Sequence, residues 1–144
     1  PLIWVVPGIT KAGEICQRPV DFLSIYPTLC DLIDVPLPNH LEGNSLAALL
    51  EKPDCHWDGV ALTTHGHRNH AIRDGQFRYI RYADLSEELY DHTTDPYEFT
   101  NLANDETMIA TKRRLAAFLP KNETPPKTMS RKKNKRKKPN LLTD

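Results

Sequence analysis

Apolar residues Leu2 to Val6 follow one another without a break and stop at Pro7-Gly8, which predicts a short strand buried on both faces of a sheet. From Val20 the rhythm changes. Phe22, Ile25, Tyr26, Leu29, Leu32 and Ile33 fall at i, i+3, i+4, i+7, i+10 and i+11, the spacing of one buried stripe on a helix. Pro27 sits inside that stripe, removes a backbone donor and predicts a kink or a restart. Pro36 and Pro38 close the helix, Asn44 or Ser45 is placed to cap a short one through Leu50, and Pro53 stops it. Further on, Gly59 to Thr64, Ala71 to Asp74, Phe77 to Tyr82 and Glu88 to Tyr90 read as strands of an antiparallel sheet. Asp74-Gly75 marks the tightest reversal, since Gly tolerates positive φ. After Asp105, the positions of Met108, Ile109, Leu115, Ala116, Phe118 and Leu119 predict a helix from about 106 to 119 lying over that sheet.

Charge changes the picture at one end. A formal net charge of zero joins two opposite parts: 11 Lys or Arg face 18 Asp or Glu through Thr124, and 8 face 1 from Pro125 onward. Residues 121–144 are therefore read as a disordered basic tail, with too much like charge to bury and no apolar period. Its block from Lys132 to Lys138 is dense enough to hold polyanions by releasing counterions, whether sulfated glycan, nucleic acid or anionic lipid. Three cysteines at irregular spacing form neither a disulfide framework nor a metal knuckle, and Cys30 reads as a small core hydrophobe. No apolar stretch approaches the roughly 20 residues that span a bilayer.

Two clusters carry candidate chemistry. His65-x-His67-x-x-His70, with Asp74 nearby, has imidazoles at i and i+2, which on a strand share one face and would suit a metal. Gly66 between them favours a polar loop instead. Arg78 and Arg81 alternate with Tyr79 and Tyr82 as in a nucleic-acid surface, but the surrounding residues are acidic, and cross-strand ion pairs account for them as well. Asp91, Asp95 and Asn101 are short polar side chains of the kind that hold turns.

Several of these segments recur together in a known family. Arg78-Tyr79-Ile80-Arg81-Tyr82, then Glu87-Glu88-Leu89-Tyr90-Asp91, then Asp95-Pro96-Tyr97-Glu98 with Asn101-Leu102, resemble the C-terminal subdomain of the sulfatases, in the alkaline phosphatase superfamily. The run Pro1 to Gly8 is similar to that family's central strand, and Val20-Asp21 through Pro27-Thr28-Leu29 to its "V-D-x-x-x-x-P-T-L" helix. Gly66-His67-Arg68-Asn69-His70-Ala71-Ile72-Arg73 resembles the "G-x-x-N-H-A-V-R" loop of iduronate- and choline-type sulfatases, which lies near the mouth of the active site.

The resemblance implies an α/β, alkaline phosphatase-like chain. Residues 1–60 would be the C-terminal edge of the sulfatase core, with a strand of the central sheet, a helix and a short helix. Residues 61–120 would form a small antiparallel sheet covered by a helix. It implies hydrolysis of a sulfate ester, on a carbohydrate or small organic sulfate, by the intact protein. Arg68, Asn69, His70 and Arg73 would contact substrate. None of Cys16, Cys30 and Cys55 stands in the Cys-x-Pro-Ser-Arg motif of the formylglycine nucleophile, so no catalytic residue and no calcium ligand is assigned. Calcium and formylglycine are expected in the intact family member, whose catalytic part is expected upstream of Pro1. The alternative is a non-catalytic interaction fragment with a polyanion-binding tail.

Overall fold

The computed structural model describes residues 1–123; the basic block from Lys132 to Lys138 and the expected disorder of the tail from residue 124 lie outside them. The sheet has four antiparallel strands in chain order: β1 (Ala61–Thr64), β2 (His70–Arg73), β3 (Phe77–Arg81) and β4 (Glu87–Asp91). Ile72 pairs with Tyr79 and Tyr79 with Leu89, so these three residues form one row on one face. All three are fully buried under Leu115 of α3 (Ile109–Ala116), with Phe77, Ala103 and Leu119 completing the core. Burial of Ile72, Leu89 and Leu115 stabilises the fold by about 1.5–3 kcal/mol each. The terminal helix is shorter than the pattern predicts. It opens with a 3-10 turn over Glu106–Met108, and the Asp105 carboxylate accepts from Thr107 N at 2.8 Å.

Side-chain oxygens make the turns. At the β2–β3 reversal, Asp74 Oδ1 accepts from Gln76 N at 2.8 Å and Phe77 N at 2.5 Å. The hairpin is where the Asp74-Gly75 pair places it, but Gly75 is not among the glycines with positive φ. The carboxylate, not left-handed backbone, closes this turn. After β4, Asp91 Oδ1 accepts from Thr93 N at 2.9 Å, and Asp95 Oδ2 from Thr100 N at 2.8 Å. Asn101 Oδ1 accepts from both Leu89 N at 3.0 Å and Ala103 N at 2.9 Å. All three residues hold turns, as their type predicts.

The first sixty residues depart further from expectation. Leu2–Val6 makes no ladder within the described residues, and Ile3 and Val5 are 81% and 84% exposed. A strand buried on both faces needs a neighbour on each side, and all four described strands belong to the other sheet. A 3-10 turn over Phe22–Ser24 leads into α1 (Ile25–Leu32). Pro27 produces no restart because it occupies the first turn, where backbone N–H groups have no intrahelical acceptor to lose.

The buried face of α1 is not the expected stripe. Phe22 and Ile33 are 80% and 68% exposed, and Tyr26 and Leu29 are also open, whereas Pro27, Thr28 and Cys30 are buried. They pack near Leu46 and α2 (Ala47–Glu51), whose Leu49 is buried. The contact is organised by a hydroxyl: Thr28 Oγ1 donates to Ser24 O at 2.6 Å and accepts from Leu46 N at 2.8 Å. Ser45 Oγ donates to Asp31 Oδ2 at 2.6 Å and accepts from Ala47 N at 3.2 Å. Gly43 permits this approach, since a Cβ there would lie 2.0 Å from Leu23 O. Asp21 Oδ2 accepts from Leu62 N at 3.1 Å and ties this part to β1.

Glu87 clamps sheet to helix. Its carboxylate accepts from Lys112 Nζ of α3 at 2.7 Å and from the Tyr79 hydroxyl. The Lys112 hydrogen bond first, and the Tyr79 bond second, hold the Glu87 carboxyl below its ordinary value.

Two predictions arise here. Thr28→Val keeps the shape but leaves the Leu46 N–H without its acceptor, and should cost about 1–3 kcal/mol. It should appear as a lower urea midpoint at unchanged m-value, with Thr28→Ser close to wild type. Because the folded Glu87 pKa is depressed, its contribution is present above the unfolded carboxylate pKa and is lost as pH falls through the folded value. Acid titration of stability should show this loss below the ordinary Glu range, and Lys112→Met should reduce its size.

Candidate functional site

The β1–β2 loop, residues 65–69, is built to hold one shape. His65 N donates to Asn69 O at 2.9 Å, and Gly66 takes φ +68°, which a residue without Cβ adopts freely. Arg68 takes φ +65°, a left-handed conformation that costs a residue with Cβ about 1–2 kcal/mol. Asn69 holds the loop in that shape. Its Nδ2 donates to His65 O at 3.0 Å and His67 O at 3.3 Å, while Oδ1 accepts from Ala83 N at 3.0 Å in the β3–β4 loop.

His70 opens β2 on the covered face, and its side chain is 5% exposed. Nδ1 lies 2.9 Å from Thr64 Oγ1, its cross-strand partner. Nε2 points toward the Glu123 carboxylate, 3.5 Å from Oε1. The same carboxylate has Arg68 Nε at 3.2 Å and His67 Nε2 at 3.9 Å. Three nitrogen-bearing side chains, two from the loop and one from the first residue of β2, thus surround a single acidic group.

Of the four residues expected to contact substrate, Arg68 and His70 come together, and Asn69 serves the loop backbone. Arg73 lies three positions from His70 and so on the opposite face. Its cross-strand partner there is Arg78, and its Nη1 is buried without a hydrogen-bond partner among the described residues. Arg78 Nη1 bonds both Glu98 oxygens at 3.0 and 2.8 Å, and His92 Nε2 lies 2.7 Å from Glu98 Oε1. This ion pair, not a nucleic-acid surface, accounts for Arg78. Nearby, Glu88 accepts from the hydroxyls of Tyr82 at 3.1 Å and Tyr90 at 3.0 Å. Burial first, and then the Glu88 bond, push the Tyr90 hydroxyl up to about 12, which fixes it as a donor.

The metal arrangement considered for His65, His67 and His70 is not formed; among the described residues no three His, Cys, Asp or Glu side chains are placed to hold a cation. Sequence reasoning weighed His67 for a metal but did not count it among the substrate-contact residues, and it missed Glu123 entirely. The one signal for Glu123 was an isolated acid beyond Pro120. A cleft of about 680 Å³ lies elsewhere, lined chiefly by apolar residues that include Leu2, Ile3, Trp4, Phe22 and Leu49.

Comparison with known proteins identifies relatives of the chain. The family described as N-sulphoglucosamine sulphohydrolase, C-terminal, matches residues 1–124. A sulfatase of Formosa agariphila is 39% identical over 121 residues, covering 84% of this chain and 24% of that protein. A protein solved in complex with its substrate D-glucosamine-2-N,6-O-disulfate superposes with a TM-score of 0.52 at 22% identity, over 65% of this chain and 22% of the other, a likeness of fold. The phosphonate monoester hydrolase of Agrobacterium radiobacter superposes with a TM-score of 0.52 at 31% identity, over 65% and 23%. The chain spans about a quarter of the length of these proteins.

The loop geometry generates a prediction. Asn69→Ala removes three hydrogen bonds to backbone groups and should cost about 1–3 kcal/mol. Amide exchange at Ala83, whose acceptor is lost, should rise more than at Leu89 in the core.

Proposed function

The chain belongs to the sulfatase family, whose C-terminal domain it matches, and from that premise we propose that it serves a sulfuric ester hydrolase acting on a sulfated carbohydrate or small organic sulfate. Its part is to present loop 65–70 to the sulfated group. The observation that carries this reading is the meeting of Arg68 Nε and His70 Nε2 about one carboxylate. A guanidinium and an imidazole converging on an anion, one of them nearly buried, suit recognition of sulfate oxygens. Asn69 would fix the loop for that contact, and the left-handed backbone at Arg68 aims its side chain.

In the intact family, formylglycine supplies a nucleophile and calcium offsets charge on the sulfate oxygens. The described residues fit neither group. No cysteine of the chain stands in the formylglycine motif, and no described cluster suits a cation. The reacting groups are therefore assigned outside the described residues. The uncovered stripe of Phe22, Tyr26, Leu29 and Ile33 supports a domain that lies against further structure, because apolar patches of this kind mark contact surfaces.

A second reading, hydrolysis of a phosphonate monoester, is favoured by the 31% identity to such an enzyme. The interaction-fragment alternative rests on the charge of residues 125–144, which lie outside the described residues.

The test uses the 144-residue chain in two assays. With an aryl sulfate and calcium, turnover should not exceed the buffer background. Turnover lost on mutating Cys16, Cys30 and Cys55 together would place the nucleophile here and overturn the assignment. In NMR titration, glucosamine 6-sulfate should shift signals of residues 65–70 where unsulfated glucosamine does not. A phenyl phosphonate monoester that shifts them at lower concentration would favour the second reading.

A further inference from the structure

Glu123 enters the reading above only as the anion on which the nitrogens of Arg68 and His70 converge, with no function of its own. Its carboxylate is only 18% exposed, inside the hydrogen-bonding reach of a guanidinium and beside a 5% exposed imidazole. The fit is nonetheless poor. Neither His70 Nε2 nor Glu123 Oε2 completes a hydrogen bond among the described residues, although both atoms are buried. Buried polar atoms are nearly always satisfied, so the carboxylate meets these donors incompletely. A carboxylate offers two oxygens in one plane. A sulfate ester offers three terminal oxygens at tetrahedral angles, enough to engage Arg68, His70 and His67 together.

The attachment of Glu123 suits displacement. Leu119 is anchored in the core at 6% exposure, while residues 120–123 that follow belong to no helix or strand. Four residues of chain thus link a fixed point to the carboxylate, and Glu123 can leave without unpacking α3.

We propose that Glu123 is a built-in competitor for a sulfate-binding subsite formed by His67, Arg68 and His70, an internal latch that a sulfate group of the ligand displaces. This rests on the reading of loop 65–70 as the substrate-facing loop. Ligand binding then releases the segment carrying Glu123, and apparent affinity is lowered by the fraction of time the latch is closed.

The experiment is calorimetric titration of the 144-residue chain with sodium sulfate, at ionic strength held constant with sodium chloride so that screening does not change. Glu123→Gln and Glu123→Ala should each bind sulfate about tenfold more tightly than wild type, the gain expected if the latch is closed about nine-tenths of the time. Arg68→Ala should abolish binding in every background, with unchanged melting temperature as the control for folding. In the wild type, saturating sulfate should also speed amide exchange at residues 121–123. Equal affinity in wild type and both Glu123 variants, with Arg68→Ala still abolishing binding, overturns the latch and leaves the subsite standing. Sulfate binding that survives Arg68→Ala, or is absent in all variants, overturns the reading of the loop and the latch with it.

Discussion

The row of Ile72, Tyr79 and Leu89 across three strands sets the register on which everything at the loop depends. Side chains alternate along a strand, so a slip of one residue would exchange the two faces of the sheet. His70 would then turn away from Glu123, and Arg73 would be driven beneath α3. Burial of an apolar row opposes that slip. The Asp74 carboxylate opposes it again, because it bonds the first two amides after the turn and fixes the hairpin length. Glu87 adds a third restraint by joining Tyr79 of that row to Lys112 of the covering helix.

The helical part obeys the opposite logic. On α1 Tyr26 and Leu29 are open while a threonine is fully buried beside Pro27 and Cys30. A hydroxyl is costly to bury unless it is bonded, and Thr28 is bonded twice, once as donor and once as acceptor. Its second bond satisfies a backbone amide that no helix or sheet would otherwise serve. Packing of α1 against the segment before α2 is therefore specified by polar matching and by the space at Gly43. Burial of Cys30, Leu46 and Leu49 adds apolar area to that match.

These two regions differ in how far they could be read from residues alone. Strand alternation, the Asp74 turn and the roles of Asp91, Asp95 and Asn101 were legible because each is local, settled within a few residues of sequence. The stripe on α1 was legible as a stripe, but periodicity reports which face is apolar and says nothing of what covers it. Leu2–Val6 failed for the same reason, since a ladder requires partners that composition does not name. In the loop, Arg68 and His70 were singled out by resemblance, and the structure brings both to one carboxylate. Glu123 was not, because the contact spans more than fifty residues and depends on where α3 ends. Arg73, grouped with them by resemblance, lies on the opposite face, which strand period two alone would have indicated.

Both margins of the sheet are stoppered by side chains. On the outer side of β1 the Leu62 amide is taken by Asp21. On the outer side of β4, Asn101 takes the Leu89 amide, and Leu102 N donates to the Leu89 carbonyl at 2.8 Å. Exposed strand edges are templates for adding another strand, and here each is closed by a group that mimics one. At Leu62 and Leu89 the edge groups are therefore already taken and are not free to pair with another strand. Contact made at those two positions would have to use side-chain shape in place of backbone pairing.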